Sequence, residues 1–236
     1  MRIIFVFAHQ DDEIAAAPRI RRAVAVGDEI ACAFLTDGKK PAMRDEESRR
    51  ALASLGVAEV AFIGSENRIG DGTLVENLDR ALTLLSARFD RADEVWTLAW
   101  EGGHQDHDAA HLVALAFAQQ HSARCFEVPL YTGFQRIGPL FRVCCPTGEG
   151  WTSRPLKLRE VLANAALIRF FRSQRRTWLA LLPGILTTRR EYSREASAAR
   201  TQSRPHAGTL YYERRFRFPY ERFEALARPF IQERLR

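Results

Sequence analysis

Between residues 1 and 135 the chain alternates short apolar runs with longer stretches of helical pattern. Ile3–Phe7 is a continuous apolar run of strand length, and Glu13–Val26 follows with helical composition. Glu29–Leu35 reads as a second strand, closed by the turn-like sequence TDGKKP. Arg44–Leu55 is helical and stops at Gly56, a residue that ends helices because it adopts left-handed backbone without a Cβ penalty. Glu59–Ile63 is a short third strand. Leu74, Leu78, Leu82 and Leu85 then recur at helical spacing within Leu74–Phe89. Glu94–Ala99 reads as a fourth strand, Asp106–Gln119 as an alanine-rich helix and Arg124–Tyr131 as a fifth strand. Continuously apolar strands separated by helices predict an α/β fold: a Rossmann-like parallel sheet with helices on both faces.

Beyond Gly133 the alternation fails. Trp151–Pro155 reads as loop and Leu156–Trp178 as mostly helical, with Pro183-Gly184 ending the next apolar stretch. Thr188–Arg200 and Tyr220–Glu233 are further expected helices. The pattern thus divides the chain into an α/β core, residues 1–135, and a smaller, mostly helical C-terminal cap, residues 136–236, packed on it.

Charge sharpens that division. The net charge of +6 is not spread evenly: residues 1–153 carry 16 Lys and Arg against 22 Asp and Glu, whereas 154–204 carry 12 against 3. An acidic front and a basic rear indicate two functional surfaces. The acidic half, and the lack of a nucleic-acid-binding motif, argue against nucleic acid as the partner despite the high pI. No apolar run reaches the length of a spanning helix. The first residues read directly as strand rather than as a secretory leader. The four cysteines, at 32, 125, 144 and 145, lack paired metal-ligand spacing and read as reduced packing residues. A cytoplasmic protein is expected; nothing in the pattern sets its oligomeric state.

The first strand ends in AHQDDE, Ala8 to Glu13, and the fourth in AWEGGHQDH, Ala99 to His107. Crowded carboxylates repel unless a cation or shared protons compensate them. Alone, DDE is commonly a solvated first helical turn and HxxH a helix surface; together, each after a strand, they ask for a site. In an open α/β sheet ligands bind beyond the carboxyl ends of the strands at the switch in strand order. A 3-2-1-4-5 order places strands one and four side by side there, so the two clusters face one crevice. No G-x-G-x-x-G follows the first strand, so a dinucleotide is not expected. Imidazole with carboxylate suits zinc better than magnesium or calcium, and a catalytic zinc keeps three protein ligands and an open position. His9, Asp12 and His107 are the candidate ligands. Asp11 is then free to take a proton from water, and His104, if protonated, to stabilise an oxyanion. Gly102 and Gly103 permit close backbone approach. His111 is a weaker substitute ligand, His121 and His206 are incidental, and Glu13 reads as a helix-capping or supporting group.

These motifs resemble those of the LmbE/PIG-L family of zinc-dependent N-acetyl sugar deacetylases, which show (P/A)HPDDE and a later HPDH. Here Gln10 and Gln105 replace the two prolines. LTDG at Leu35–Gly38, and Arg44, Glu47, Ala51 and Leu55-Gly56 on the second helix, also match, and the resemblance covers about residues 1–135. It implies His9, Asp12 and His107 as zinc ligands, Asp11 as general base, His104 as the histidine assisting the tetrahedral intermediate and Asp106 as a residue orienting it. Arg44 is taken as substrate-binding. Some members carry a tyrosine shortly before that histidine; Gly102 and Gly103 stand there instead.

The implied reaction removes the acetyl group from an N-acetylglucosamine-type sugar, free or on a lipid-linked or lipopolysaccharide-type glycan. The alternatives are hydrolysis of another small amide or thiol conjugate and, in a different class, a metal-dependent phosphoesterase, which would usually need a third acid cluster. Ala165–Arg190 interleaves Leu167, Ile168, Phe170, Phe171, Trp178, Leu179, Leu181 and Leu182 with Arg169, Arg172, Arg175, Arg176, Arg189 and Arg190. That is the composition of a helix lying on an anionic membrane surface, and also that of an amphipathic helix packed on the sheet. Packing on the sheet with solvated arginines is the plainer expectation; peripheral binding at the inner face of the membrane is the functional alternative.

Overall fold

The computed structural model describes residues 1–137 and 140–235. Five parallel strands form the centre of the molecule: β1 (Arg2–Phe7), β2 (Glu29–Phe34), β3 (Glu59–Ala61), β4 (Glu94–Leu98) and β5 (Arg124–Val128). Their order is β3-β2-β1-β4-β5, so the switch falls between β1 and β4, which pair in register from Ile3 with Glu94 to Val6 with Thr97. Helices α1 (Glu13–Ala25), α2 (Pro41–Ser54), α3 (Ile63–Asn67), α4 (Leu78–Arg88) and α5 (Gln105–Gln120) follow the strands in turn. Leu74–Asn77, expected as the start of α4, is a separate 3₁₀ turn.

Both faces of the sheet are covered. Along β1 the side chains alternate: Ile4 and Val6 join a core with α4 and α5, whereas Ile3, Phe5 and Phe7 join a second core with α1 and α2. This is why the strands read as unbroken apolar runs rather than as alternating ones.

The C-terminal residues cover both cores and also extend the sheet. β6 (Tyr131–Ile137) and β7 (Leu140–Val143) form a separate antiparallel pair. β8 (Thr152–Pro155), expected as loop, leads to α6 (Leu158–Leu167), two short 3₁₀ turns and α7 (Arg175–Thr187). The segment expected as a helix at Thr188–Arg200 holds β9 (Arg190–Glu195) and the short α8 (Ala198–Thr201). β9 runs antiparallel along β5, and β8 along β9, so the full order is β3-β2-β1-β4-β5-β9-β8. Alternating Arg, Glu and Tyr in REYSRE hides a strand, because Arg194 finds its charge partner within the core. There Glu127 of β5, fully buried, accepts from both Arg194 and Arg200.

Helices α9 (Tyr211–Phe216) and α10 (Tyr220–Arg234) close the chain, with α10 burying Phe223, Ala227, Phe230 and Ile231 on the α4–α5 face. The α7 helix runs through Pro183 instead of ending there. Leu181 and Ile185, on either side of the proline, are both buried against the α1–α2 core, and that packing offsets the missing backbone donor.

Candidate active site

His9, Gln10, Asp11 and Asp12 form the tight turn between β1 and α1. The Asp12 backbone N–H donates to the His9 carbonyl at 3.2 Å, and the Asp12 carboxylate accepts the His9 N–H at 2.8 Å. His9 and Asp12 are therefore brought together by a non-helical bend, and α1 starts only at Glu13. At the neighbouring strand end His104 caps α5. Its Nδ1 accepts the Asp106 N–H at 3.1 Å, which satisfies a helix-terminal donor and places His107 in the first turn. The two glycines before it allow close approach: a Cβ on Gly103 would stand 2.2 Å from the Tyr131 carbonyl oxygen.

Adjacency of β1 and β4 brings the two clusters together. Donor atoms of His9, Asp12 and His107 lie within 4.8 Å of one another, all buried. His107 Nε2 is 3.2 Å from Asp12 Oδ1, and His9 Nδ1 is 3.7 Å from Asp12 Oδ2. The other nitrogen of His9, Nε2, meets Asp106 Oδ2 at 3.1 Å and Asp71 Oδ1 at 3.5 Å. A histidine held this way by carboxylates at one nitrogen presents the other as a ligand. The carboxylate of Asp106 is thus placed on His9 rather than on His104, whose Nδ1 it approaches only to 4.0 Å. It also accepts the Gly72 N–H at 2.6 Å and the Leu74 N–H at 3.2 Å, fixing the loop that carries Asp71.

Asp11 is the most constrained residue of the turn. Its φ of 122° lies where residues with a Cβ rarely sit, a strain of roughly 1–3 kcal/mol that surrounding contacts must overcome. Its N–H donates to Glu13 Oε2 at 2.8 Å, so Glu13 supports the turn from outside the ligand set. The guanidinium of Arg44, on α2, donates to Asp11 Oδ1 at 2.8 Å and also to the carbonyls of Gln10 and Gly38. The indole of Trp178, on α7, donates to Asp11 Oδ2 at 2.8 Å.

A pocket of about 400 Å³ opens over these groups. His9, Asp11, Asp12, Asp71, His104 and His107 form its floor. Arg44, Tyr131, Trp178, Tyr211, Arg215 and Phe216 stand among its walls. His111 is elsewhere: its Nδ1 lies 2.9 Å from the Leu98 carbonyl and 3.4 Å from Glu127, which removes it as a substitute ligand. His206 stacks on Phe134, and His121 follows the last residue of α5.

The electrostatics favour a bound cation. Burial disfavours the charge on Asp12, yet His107 and His9 hold its pKa below the usual carboxylate range. Asp71 and Asp106, also against burial, are held low chiefly by His9. His9 is opposed by burial as well, but Asp106, Asp12 and Asp71 together raise it well above an ordinary imidazole. Three charged carboxylates around one imidazole thus draw in positive charge, and a divalent cation fits a donor set of two imidazoles and a carboxylate. Burial, with nearby His9, pushes His104 down to about 3, which favours its neutral ring. With Nδ1 accepting from backbone, Nε2 carries the proton. Asp11 is raised, by burial first, against the pull of Arg44.

Sequence reasoning missed Asp71, Tyr131, Trp178 and Tyr211. Asp71 had a readable signal, an acid between two glycines in a loop on the ligand side of the sheet. Trp178 had none, because nothing in an arginine-rich helix shows that it turns inward onto residue 11.

Residues 4–118 match the family model described as PIG-L: GlcNAc-PI de-N-acetylase, so the family resemblance read from the two motifs holds. No curated protein sequence matches the chain. Among solved structures, a deacetylase of the teicoplanin biosynthesis pathway shares 15% identity and a TM-score of 0.59, over 83% of this chain and 97% of that one. N,N′-diacetylchitobiose deacetylase from Pyrococcus horikoshii shares 16% identity and a TM-score of 0.55, over 83% of each chain. A conserved protein from Thermus thermophilus shares 20% identity and a TM-score of 0.56, over 78% of this chain and 84% of that one. At these identities the likeness is one of fold.

Proposed function

We propose, on the premise that residues 4–118 are a PIG-L-type de-N-acetylase region, that the pocket hydrolyses the N-acetyl group of an N-acetylglucosamine-type amino sugar. One observation carries the reading. Two motifs, His9 with Asp12 and His104 with His107, converge from separate strand ends on two donor groups that share His9, with a carboxylate, Asp11, standing beside them rather than among them. The solved deacetylases that share the fold support it.

His9, Asp12 and His107 would hold zinc, the ion that suits mixed imidazole and carboxylate donors. Bound there, zinc supplies Lewis acidity toward the acetyl oxygen and the attacking water. The chain's own groups do the rest. Asp11, raised in basicity by burial, takes the proton from water as the new C–O bond forms. His104, neutral and protonated at Nε2, is a hydrogen-bond donor for the developing oxyanion. The proton returns to the amine nitrogen as the C–N bond breaks and acetate leaves. Asp71, in the floor of the pocket, and Arg44, in its wall, are polar groups able to meet sugar hydroxyls.

The carrier of that sugar is read as a lipid. Core packing takes up much of the apolar content of 165–190: Leu167, Phe171, Trp178, Leu181 and Ile185 are buried. What faces outward is Leu158 and Leu162 on α6 and Leu179 and Leu186 on α7, 59%, 53%, 51% and 38% exposed. On α7, Arg175, Leu179 and Leu186 follow one another at spacings of four and seven, along one stripe. Residues 161–190 contain six arginines and no acidic residue. Uncompensated arginine beside exposed leucine fits an anionic bilayer surface. The opposite face of α7 lines the pocket. No helix among the described residues is long and apolar enough to cross a membrane, so such contact is peripheral.

The test is acetate release from a panel of N-acetyl amino sugars, free and lipid-linked, with and without a chelator, alongside metal analysis of protein purified without a nickel column. Release that stops on chelation and returns with zinc supports the reading. A metal-loaded protein that releases no acetate from any member, but cleaves other amides or phosphate esters, overturns it.

A further inference from the structure

Asp11 receives one hydrogen bond on each carboxylate oxygen, from groups that come from opposite ends of the chain. Arg44 Nη2 holds Oδ1 and Trp178 Nε1 holds Oδ2, each at 2.8 Å. Both donors are buried, Arg44 5% and Trp178 2% exposed. The two are also tied to each other. Glu47 lies three residues after Arg44 on α2, and its carboxylate accepts the Ser173 N–H at 2.9 Å and the Ser173 hydroxyl at 2.5 Å. Ser173 belongs to the 3₁₀ turn Arg172–Gln174 that leads directly into α7, whose first turn carries Trp178. A closed ring results: Asp11 to Arg44, along α2 to Glu47, across to Ser173, into α7 and back through Trp178 to Asp11.

We propose that Trp178 is a positioning residue, which with Arg44 fixes the plane of the Asp11 carboxylate so that its free lone pairs face the attacking water. The proposal rests on the deacetylase reading for the role of Asp11, and on geometry alone for the clamp. Neither indole N–H nor guanidinium can accept a proton, so both act only as donors and leave the carboxylate as the sole acceptor of the trio. One donor per oxygen leaves each a lone pair, while two donors from rigid helices remove rotation about the carboxylate bond. Such fixing matters because small misplacements of a catalytic group cost large factors in rate. Asp11 needs it more than most groups, since its backbone sits at an unfavourable φ of 122° and would relax if released. The C-terminal segment therefore completes the base and does more than shelter it.

The experiment has two arms. In the first, the indole N–H resonances of the four tryptophans are recorded by ¹⁵N–¹H correlation in the wild type and in Asp11→Asn. One resonance, the one missing in Trp178→Phe, is expected to move when residue 11 changes; if none moves, the clamp does not exist in solution. In the second, Trp178→Phe is assayed for acetate release in the wild-type and the Asp11→Asn backgrounds. A loss in kcat of about 10- to 100-fold is expected in the first, with KM and metal content held within about twofold, and almost none in the second, because a residue acting through Asp11 cannot act without it. Equal fractional losses in both backgrounds would assign Trp178 a merely structural role. If Trp178→Phe does not fold, Glu47→Gln, which loosens the seat of Ser173, gives the same comparison, with a kcat loss of about threefold. A wild type that releases no acetate while the resonance still moves counts against the deacetylase reading and not against the clamp.

Discussion

Residues 1–135 and the remainder of the chain build the same pocket by different means. The first part contributes its groups at strand ends and helix starts, positions dictated by hydrogen-bonding geometry. His9, Asp12, His104 and His107 all follow the end of β1 or β4, and α5 is capped by one of them. The second part contributes Trp178, Tyr211, Arg215 and Phe216 from helices whose opposite sides serve the core or the solvent. The ligand cluster thus depends on topology, whereas the walls depend on the packing of one region upon the other. The seam between them is charged as well as apolar, with Glu127 of β5 gripping Arg194 and Arg200.

The comparison breaks most sharply at the metal cluster. His107→Ala should lose the bound metal and at least ~10³-fold in turnover, since it removes one of the two imidazoles of the His9, Asp12 and His107 set. Asp11→Asn should keep full metal while losing about 10²–10⁴-fold, and Asp12→Asn should empty the site. Metal analysis of the three variants checks the roles; an empty site in Asp11→Asn with a full one in Asp12→Asn would reverse them. At the seam, Glu127→Gln leaves Arg194 buried without its counter-charge. A destabilisation of about 3–5 kcal/mol by denaturant titration is expected, and a change within about 0.5 kcal/mol would mean the two regions are joined by apolar contact alone.

On the outer face, changing Arg172, Arg175 and Arg176 together to Glu should abolish co-sedimentation with anionic vesicles at low salt. Activity on a soluble N-acetyl sugar should change less than about twofold, because these arginines are exposed and none of them lines the pocket. Wild-type protein that ignores anionic vesicles at low salt would end the lipid-surface reading. The smallest effect concerns Glu101, 2% exposed, which burial pushes up to about 8, with Glu127 adding to the rise and Arg194 opposing it. A raised folded-state pKa gives a stabilising contribution that is full below the ordinary carboxyl pKa and is lost as pH rises through about 8. Glu101→Gln should therefore flatten the fall in melting temperature between about pH 5 and pH 8. The slope should not vanish, because burial also holds Glu13 near 8. An unchanged slope would show that Glu101 is ionised in the fold.

The sequence showed the sheet, its order and the ligand cluster because each is written locally. An apolar run, a helix signal and an acid or histidine at the boundary suffice when the switch point is known. The C-terminal region was less legible for a physical reason. β9 takes its strand conformation from the free edge of β5 and from the buried Glu127, neither visible in REYSRE itself. Pro183 stops helices in general, but here Leu181 and Ile185 hold the turn on either side of it. The family resemblance implies that Asp106 orients His104, whereas its side chain meets His9 across the crevice, a contact between residues 97 apart that no local pattern shows. Composition fits Trp178 equally to a membrane-facing stripe and to a face packed on the sheet, because it does not tell which apolar positions turn inward.

The antiparallel addition of β9 and β8 has a consequence for handling the protein. Without them β5, with Cys125, Phe126 and Val128, would be a bare strand edge, a template for pairing with another chain. The strand that takes over the border, β8, is only four residues long, carries Arg154 and ends in Pro155, which has no N–H to offer. Such an edge resists recruitment into aggregates. Shortening the gene to the part that carries the ligands would therefore yield inclusion bodies rather than a minimal enzyme, and soluble expression would return only in versions extending past Glu195.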